Sequence, residues 1–131
     1  MDNKCEILFI ESSVCAGFPS PGEDYTQGPL NLNELLIKHP AATFFVRVKG
    51  DSMTGAGIHS GDIVIVDRAL SAVHNKIVIA RVQGELTLKR LKIEGEAVWL
   101  CPENAAFQPM KISSSTDFEI WGVVTCVIHQ V

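Results

Sequence analysis

The stretch Lys76-Ile77-Val78-Ile79-Ala80-Arg81-Val82-Gln83-Gly84-Glu85-Leu86-Thr87-Leu88-Lys89-Arg90-Leu91 decides the fold. Two runs rich in β-formers flank Gln83-Gly84, and Gly84 supplies the positive φ that a tight hairpin requires. Side chains alternate along a strand, so Leu86 and Leu88 share one face of the second arm. Glu85, Thr87, Lys89 and Leu91 share the other. Lys89 and its neighbour Arg90 therefore face opposite ways and cannot do the same job.

Upstream of the hairpin, Ser60-Gly61-Asp62 turns the chain into Ile63-Val64-Ile65-Val66. That continuous apolar run predicts a strand buried on both faces. Before it, Thr43-Phe44-Phe45-Val46-Arg47-Val48 reads as a strand ending at Gly50. The turn Lys49-Gly50-Asp51-Ser52-Met53, followed by Gly55-Ala56-Gly57, then presents one hydroxyl beside a methionine able to enter the core. Such a junction exposes a side chain on rigid backbone, as a nucleophile requires. A serine in a turn is by itself inert far more often than catalytic.

Leu32, Leu35 and Leu36 have helical spacing, with Asn31 and Asn33 as candidate N-caps and His39-Pro40 as the stop. Residues 1 to 30 read as an extended arm. Ile7–Ile10 could form a short strand, and Phe18-Pro19-Ser20-Pro21-Gly22 excludes helix. Downstream, Ala97–Cys101 is a strand closed by Pro102, and Phe107-Gln108-Pro109-Met110 makes a bend. Phe118–Ile128 is a long terminal strand in which Gly122 signals a bulge or a close backbone approach. So apolar a strand should not be a free edge, and pairing across a two-fold dimer interface is expected. The fold class is mainly β: a twisted, partly closed set of short strands with one short helix.

At 131 residues and 47% hydrophobic, the chain suits a single domain with a real core. A net charge of −4 without a basic block disfavours direct nucleic-acid binding. No apolar run approaches the roughly 20 residues of a membrane helix, and the N-terminus lacks a secretory pattern. Cytoplasmic location is the expectation. The cysteines Cys5, Cys15, Cys101 and Cys126 and the histidines His39, His59, His74 and His129 are scattered. Neither set has metal-ligand spacing, and no metal or other cofactor is expected.

The ordered blocks Ala16-Gly17-Phe18-Pro19-Ser20-Pro21, Leu32-Asn33-Glu34-Leu35-Leu36, His39-Pro40-Ala41-Ala42-Thr43 and Gly50-Asp51-Ser52-Met53 resemble the LexA/UmuD family. So do Gly61-Asp62, Val66-Asp67, His74, Ile77–Ala80, Leu86-Thr87-Leu88-Lys89-Arg90-Leu91 and Trp121-Gly122-Val123-Val124. This is a family of self-cleaving SOS-response proteins, and the likeness is closest to its UmuD branch and plasmid-borne relatives.

The resemblance implies a Ser–Lys dyad with Ser52 as nucleophile and Lys89 as general base. A lysine can act so only when burial keeps it neutral part of the time. Leu86, Leu88, Leu91 and Ile77–Ala80 offer apolar surroundings, whereas a guanidinium could not substitute. An ordinary snorkelling lysine is the bland alternative. Backbone N–H groups of Asp51 and Ser52 would receive the oxyanion.

The implied scissile bond is Ala16-Gly17, with Cys15-Ala16 as the lesser alternative. Residues 1–16 would be the arm removed, 17–30 an extended linker arm, and 31–131 the peptidase-like domain. The implied partners are a second copy in a homodimer, a RecA–single-stranded DNA filament, and a UmuC-like Y-family polymerase acting in translesion synthesis. A LexA-type repressor is not expected, because residues 1–16 are too few for a helix-turn-helix. Signal-peptidase-like processing is not expected, because no apolar run here reads as the membrane anchor such enzymes carry. A non-catalytic β-module that regulates a polymerase or RecA is the remaining alternative.

Overall fold

The computed structural model describes residues 7–10, 16–17 and 26–131. The chain divides into two units, Met1–Lys38 and His39–Val131. The expected break over Phe18–Tyr25, the thiols of Cys5 and Cys15, and thus half of the alternative Cys15-Ala16 bond lie outside the described residues.

In the first unit, β1 (Ile7–Ile10) pairs antiparallel with β2 (Thr26–Leu30), Ile7 opposite Leu30. Strand β2 was not legible, because Gly28 (φ 77°) and Pro29 both argue against a strand. A two-stranded ribbon tolerates them, since each strand has an outer edge that needs no ladder bonds. Helix α1 (Leu32–Leu36) starts at Asn31, whose Oδ1 accepts from Asn33 N at 3.0 Å and Glu34 N at 3.4 Å. None of its residues is buried. The helix is over by Ile37; Pro40 then opens a 3-10 turn, Pro40–Ala42, that leads into the first strand of the second unit.

The second unit is built on an antiparallel sheet of seven strands. They are β3 (Thr43–Arg47), β4 (Ile63–Asp67), β5 (Ile77–Val82), β6 (Glu85–Glu94), β7 (Ala97–Cys101), β8 (Met110–Ile112) and β9 (Phe118–Ile128). Their spatial order is β3-β4-β9-β5-β6-β7-β8. The hairpin expected from the sequence is β5–β6, with Ile77 opposite Arg90 and Val82 opposite Glu85. Gln83 and Gly84 both take positive φ, 51° and 82°, as a tight type I′ turn demands. The mainly β class, with a single α-helix among the described residues, is as expected, and the sheet is open at β3 and β8.

The C-terminal strand β9 is paired and is no free edge, as expected, but the expected partner is overturned: it is inserted between β4 and β5 of its own sheet rather than paired across a dimer interface. Bonding along both edges satisfies its backbone within one chain, so its apolar character says nothing about a second copy. The bulge expected at Gly122 is present. Ile79 faces Gly122 but Ala80 faces Ile120, leaving Trp121 extra. A second bulge leaves Thr125 extra against β4. Gly122 is also a close approach, since a Cβ there would lie 2.6 Å from Val66 Cγ1 and 3.2 Å from Asp67 O.

Alternation on β5 feeds two cores. Val78, Ala80 and Val82 pack with Leu91, Leu100 and Val123, while Ile79 packs with Met53, Ile58, Val64 and Val66. The central strands are thus covered on both faces, as the apolar run of β4 foretold. Two buried carboxylates close the ends of that run. Asp62 accepts from His59 N at 2.8 Å and His129 Nδ1 at 2.6 Å; Asp67 accepts from His39 Nδ1 at 2.6 Å and Ala69 N at 2.8 Å.

Candidate active site

The turn after β3 is positioned from three sides. Val48 extends the β-pairing, donating to Asp62 O at 2.8 Å and accepting from Gly61 N at 2.8 Å. Gly50, at φ 98°, reverses the chain in a conformation that disfavours any side chain, and its N–H donates to Ser60 Oγ at 3.1 Å. Met53 is then driven into the core at 1% exposure, and a 3-10 turn over Thr54–Ala56 comes next, capped by Gly57. Ser52 is left half-buried between an anchored side chain and a fixed turn.

Strand β6 brings Lys89 to this serine. Lys89 Nζ lies 3.1 Å from Ser52 Oγ, 2.9 Å from Thr87 Oγ1 and 3.0 Å from Leu88 O. Among the described residues no carboxylate lies within salt-bridge distance of Nζ. Desolvation therefore acts unopposed and holds the Lys89 pKa below the ordinary lysine value. The two residues line one cleft, whose apolar wall includes Val46, Val48, Met53, Ile79, Leu86 and Leu88. Arg90 points elsewhere, as alternation required, and pairs with Glu103.

Of the two expected oxyanion donors, the Ser52 N–H belongs to a peptide held by its carbonyl, and the next carbonyl is held too. Asp51 O accepts from Asn104 Nδ2 at 2.8 Å and Thr54 N at 3.4 Å, and Ser52 O accepts from Glu103 N at 2.8 Å. A trans peptide is planar, so fixing Asp51 C=O also fixes the direction of Ser52 N–H. Thr87, Glu103 and Asn104 were not singled out from the sequence as site residues. Thr87 was legible as a face-mate of Lys89, but Glu103-Asn104 showed only as a loop beyond a strand-ending proline.

Ala16 and Gly17 are exposed in a bend of the N-terminal unit. Cys101 and Cys126 are free thiols, and burial pushes the Cys101 pKa up, away from a reactive thiolate. No group of three or more His, Cys, Asp or Glu residues suited to a metal occurs among the described residues. No helix among them is long and apolar enough to cross a membrane.

Comparison with known families decides the assignment: the peptidase S24-like family matches residues 8–125. The chain belongs to that family. Protein SamA of Salmonella typhimurium strain LT2 is 47% identical over 123 residues, covering 94% of this chain and 84% of SamA. Protein MucA of Escherichia coli is 44% identical over 120 residues, covering 91% and 82%. The LexA repressor of Acidithiobacillus ferrooxidans is 42% identical over 119 residues, covering 88% of this chain but 58% of the repressor. The LexA/UmuD resemblance drawn from the motifs is thereby borne out, with UmuD-like plasmid-borne proteins among the relatives.

Proposed function

We propose that this S24-like chain is a UmuD-like SOS mutagenesis protein that cleaves its own N-terminal arm with a Ser52–Lys89 dyad. The observation that carries the reading is a lysine amine 3.1 Å from a serine hydroxyl, desolvated and free of any paired carboxylate among the described residues. A neutral Lys89 has two N–H bonds and one lone pair. With the N–H bonds directed at Thr87 Oγ1 and Leu88 O, the lone pair is left for the Ser52 hydroxyl proton.

Ser52 Oγ, losing that proton to Nζ, attacks the carbonyl carbon of Ala16. The oxyanion is received by backbone N–H groups of Asp51 and Ser52. Collapse breaks the Ala16–Gly17 bond as Lys89 returns the proton to the Gly17 amine. Water, activated by the same amine, then releases residues 1–16 from Ser52. Residues 17–30 remain as an extended arm on the domain that begins near residue 31.

A RecA–single-stranded DNA filament stimulates the cut by stabilising the conformer in which the arm is docked and Lys89 is desolvated, rather than by lending a catalytic group. The shortened chain, as a cytoplasmic homodimer, joins a UmuC-like Y-family polymerase in translesion synthesis. Intact mass before and after incubation with activated RecA filament, and separately at alkaline pH, tests this. The expected result is loss of residues 1–16 from the unmodified chain and none from Ser52→Ala. Unchanged mass in both conditions would overturn the peptidase reading in favour of a non-catalytic β-module.

A further inference from the structure

The loop between β7 and β8 makes more contacts with the nucleophile turn than a connection needs. Glu103 N donates to Ser52 O at 2.8 Å, and Glu103 O accepts from Gly55 N at 2.7 Å. The loop backbone thus grips the turn on both sides of Met53. Gly55 leaves no room for slack: a Cβ there would lie 2.5 Å from Glu103 O.

Asn104 adds a third hold, donating from Nδ2 to Asp51 O at 2.8 Å and to Thr54 Oγ1 at 3.4 Å, while its Oδ1 accepts from Ala106 N at 3.0 Å. The amide faces a carbonyl on one side and an N–H on the other, so only one orientation satisfies both. Finally, Glu103 Oε1 accepts from Arg90 Nε, the residue next to Lys89, and Arg90 donates to Asn75 O at 2.6 Å. The segment that holds Ser52 is therefore tied to the strand that carries Lys89.

We propose that Asn104 is a positioning residue of the dyad, fixing the Asp51–Ser52 peptide so that Ser52 Oγ and Ser52 N–H both face the scissile carbonyl, with the Arg90–Glu103 pair locking this loop to β6. The inference rests on the Ser52–Lys89 reading. Asn104 touches neither the reacting atoms nor Lys89 Nζ. Its loss should lower the rate through geometry and leave the protonation of Lys89 alone. A displacement of about 1 Å at a reacting centre can cost on the order of a hundredfold in rate.

The experiment is filament-free self-cleavage of the full chain from pH 7 to 11, for the unmodified protein, Asn104→Ala and the isosteric Asn104→Asp. Asn104→Asp keeps the acceptor for Ala106 N but removes the donor to Asp51 O. Hydrogen exchange of residues 50–56 is measured alongside. The expected result is a plateau rate about ten- to a hundredfold lower in both variants, an unchanged pH midpoint in Asn104→Ala, and faster exchange confined to residues 50–56. A merely structural role would instead raise exchange in β4, β5 and β9 as well, and that outcome overturns the proposal. So does a plateau equal to that of the unmodified chain, or a shifted midpoint with the plateau intact in Asn104→Ala. Should Asn104→Ala fail to fold, Asn104→Asp decides on plateau and exchange. Failure of the underlying dyad looks different: the unmodified chain is then as inert as Ser52→Ala at every pH, and the positioning role falls with it.

Discussion

The ends of β4 and the cleft bury charge in opposite ways. At β4, Asp62 and Asp67 are each 4% exposed, and each carboxyl is met by a backbone N–H and a histidine. The His59 N–H chiefly, with His129, holds Asp62 below the usual carboxylate range. His39 chiefly, with the Ala69 N–H, does the same for Asp67. In the cleft, Lys89 meets three neutral oxygens, and burial holds its pKa down. Both kinds of group are shifted downward, yet the shift stabilises the charged form of an aspartate and destabilises that of a lysine. One site is built to keep its charge and the other to lose it.

The sharpest way to break this contrast is to remove the group meant to be neutral. Lys89→Ala and Lys89→Arg should both abolish self-cleavage, at least about a hundredfold below the unmodified chain, by intact-mass time courses. Activity surviving in Lys89→Arg would show that position 89 needs only a charge.

The next effect is on pH. The filament-free rate should rise with pH and level off once Lys89 is deprotonated, at a midpoint below the value of about 10.4 for a free lysine. Filament should stimulate most near neutral pH, where the neutral lysine is rare. A flat profile from pH 6 to 11 would remove Lys89 as base, and equal stimulation at every pH would remove desolvation from the filament's action.

At β4 the expected effects are on stability. Asp62→Ala or Asp67→Ala should lower Tm by on the order of 5 °C, through loss of buried hydrogen bonds. The folded carboxyls have lower pKa values than the unfolded ones, so the unfolded state binds more protons as the pH falls. Their stabilisation is complete above the unfolded value of about 3.9 and is lost as pH drops through the folded value. The acid limb of Tm against pH should accordingly flatten in either variant, and an acid limb identical to that of the unmodified chain would contradict the pairing.

The smallest effect should be a gain. Lys89→Met removes a half-buried cation that faces no carboxylate among the described residues and should raise Tm slightly at pH 7. A lysine with a lowered folded pKa costs stability below that value and progressively less as pH rises toward the unfolded one, so the gain should shrink as pH rises from the folded value toward the unfolded one. A loss of stability at pH 7 would mean that Lys89 is held as a favourable cation after all.

Much of the fold was legible because its signals are local. Period-two alternation, Gln83-Gly84, the apolar Ile63–Val66 run and Gly122 each act through neighbouring residues, and β5, β6, β7 and β9 fall where those signals put them. β2 and β8 were missed, since Gly28-Pro29 and Gln108-Pro109 oppose strand locally and only pairing with β1 and β7 overrides them. At the site, turn chemistry pointed to Ser52 and alternation separated Lys89 from Arg90, but it was family likeness that joined Ser52 to Lys89.

By itself, then, the sequence determined most of the strands, though not β2 or β8, together with the hairpin turn and which faces are apolar. Tertiary structure alone decided that β9 lies between β4 and β5, because apolar antiparallel strands offer one another interchangeable backbone partners. It alone placed Lys89 Nζ 3.1 Å from Ser52 Oγ with Glu103 and Asn104 bracing the turn. Hydrogen-bond distance and desolvation depend on what surrounds an atom in space, and residues far apart in the chain supply those surroundings only once the sheet has formed.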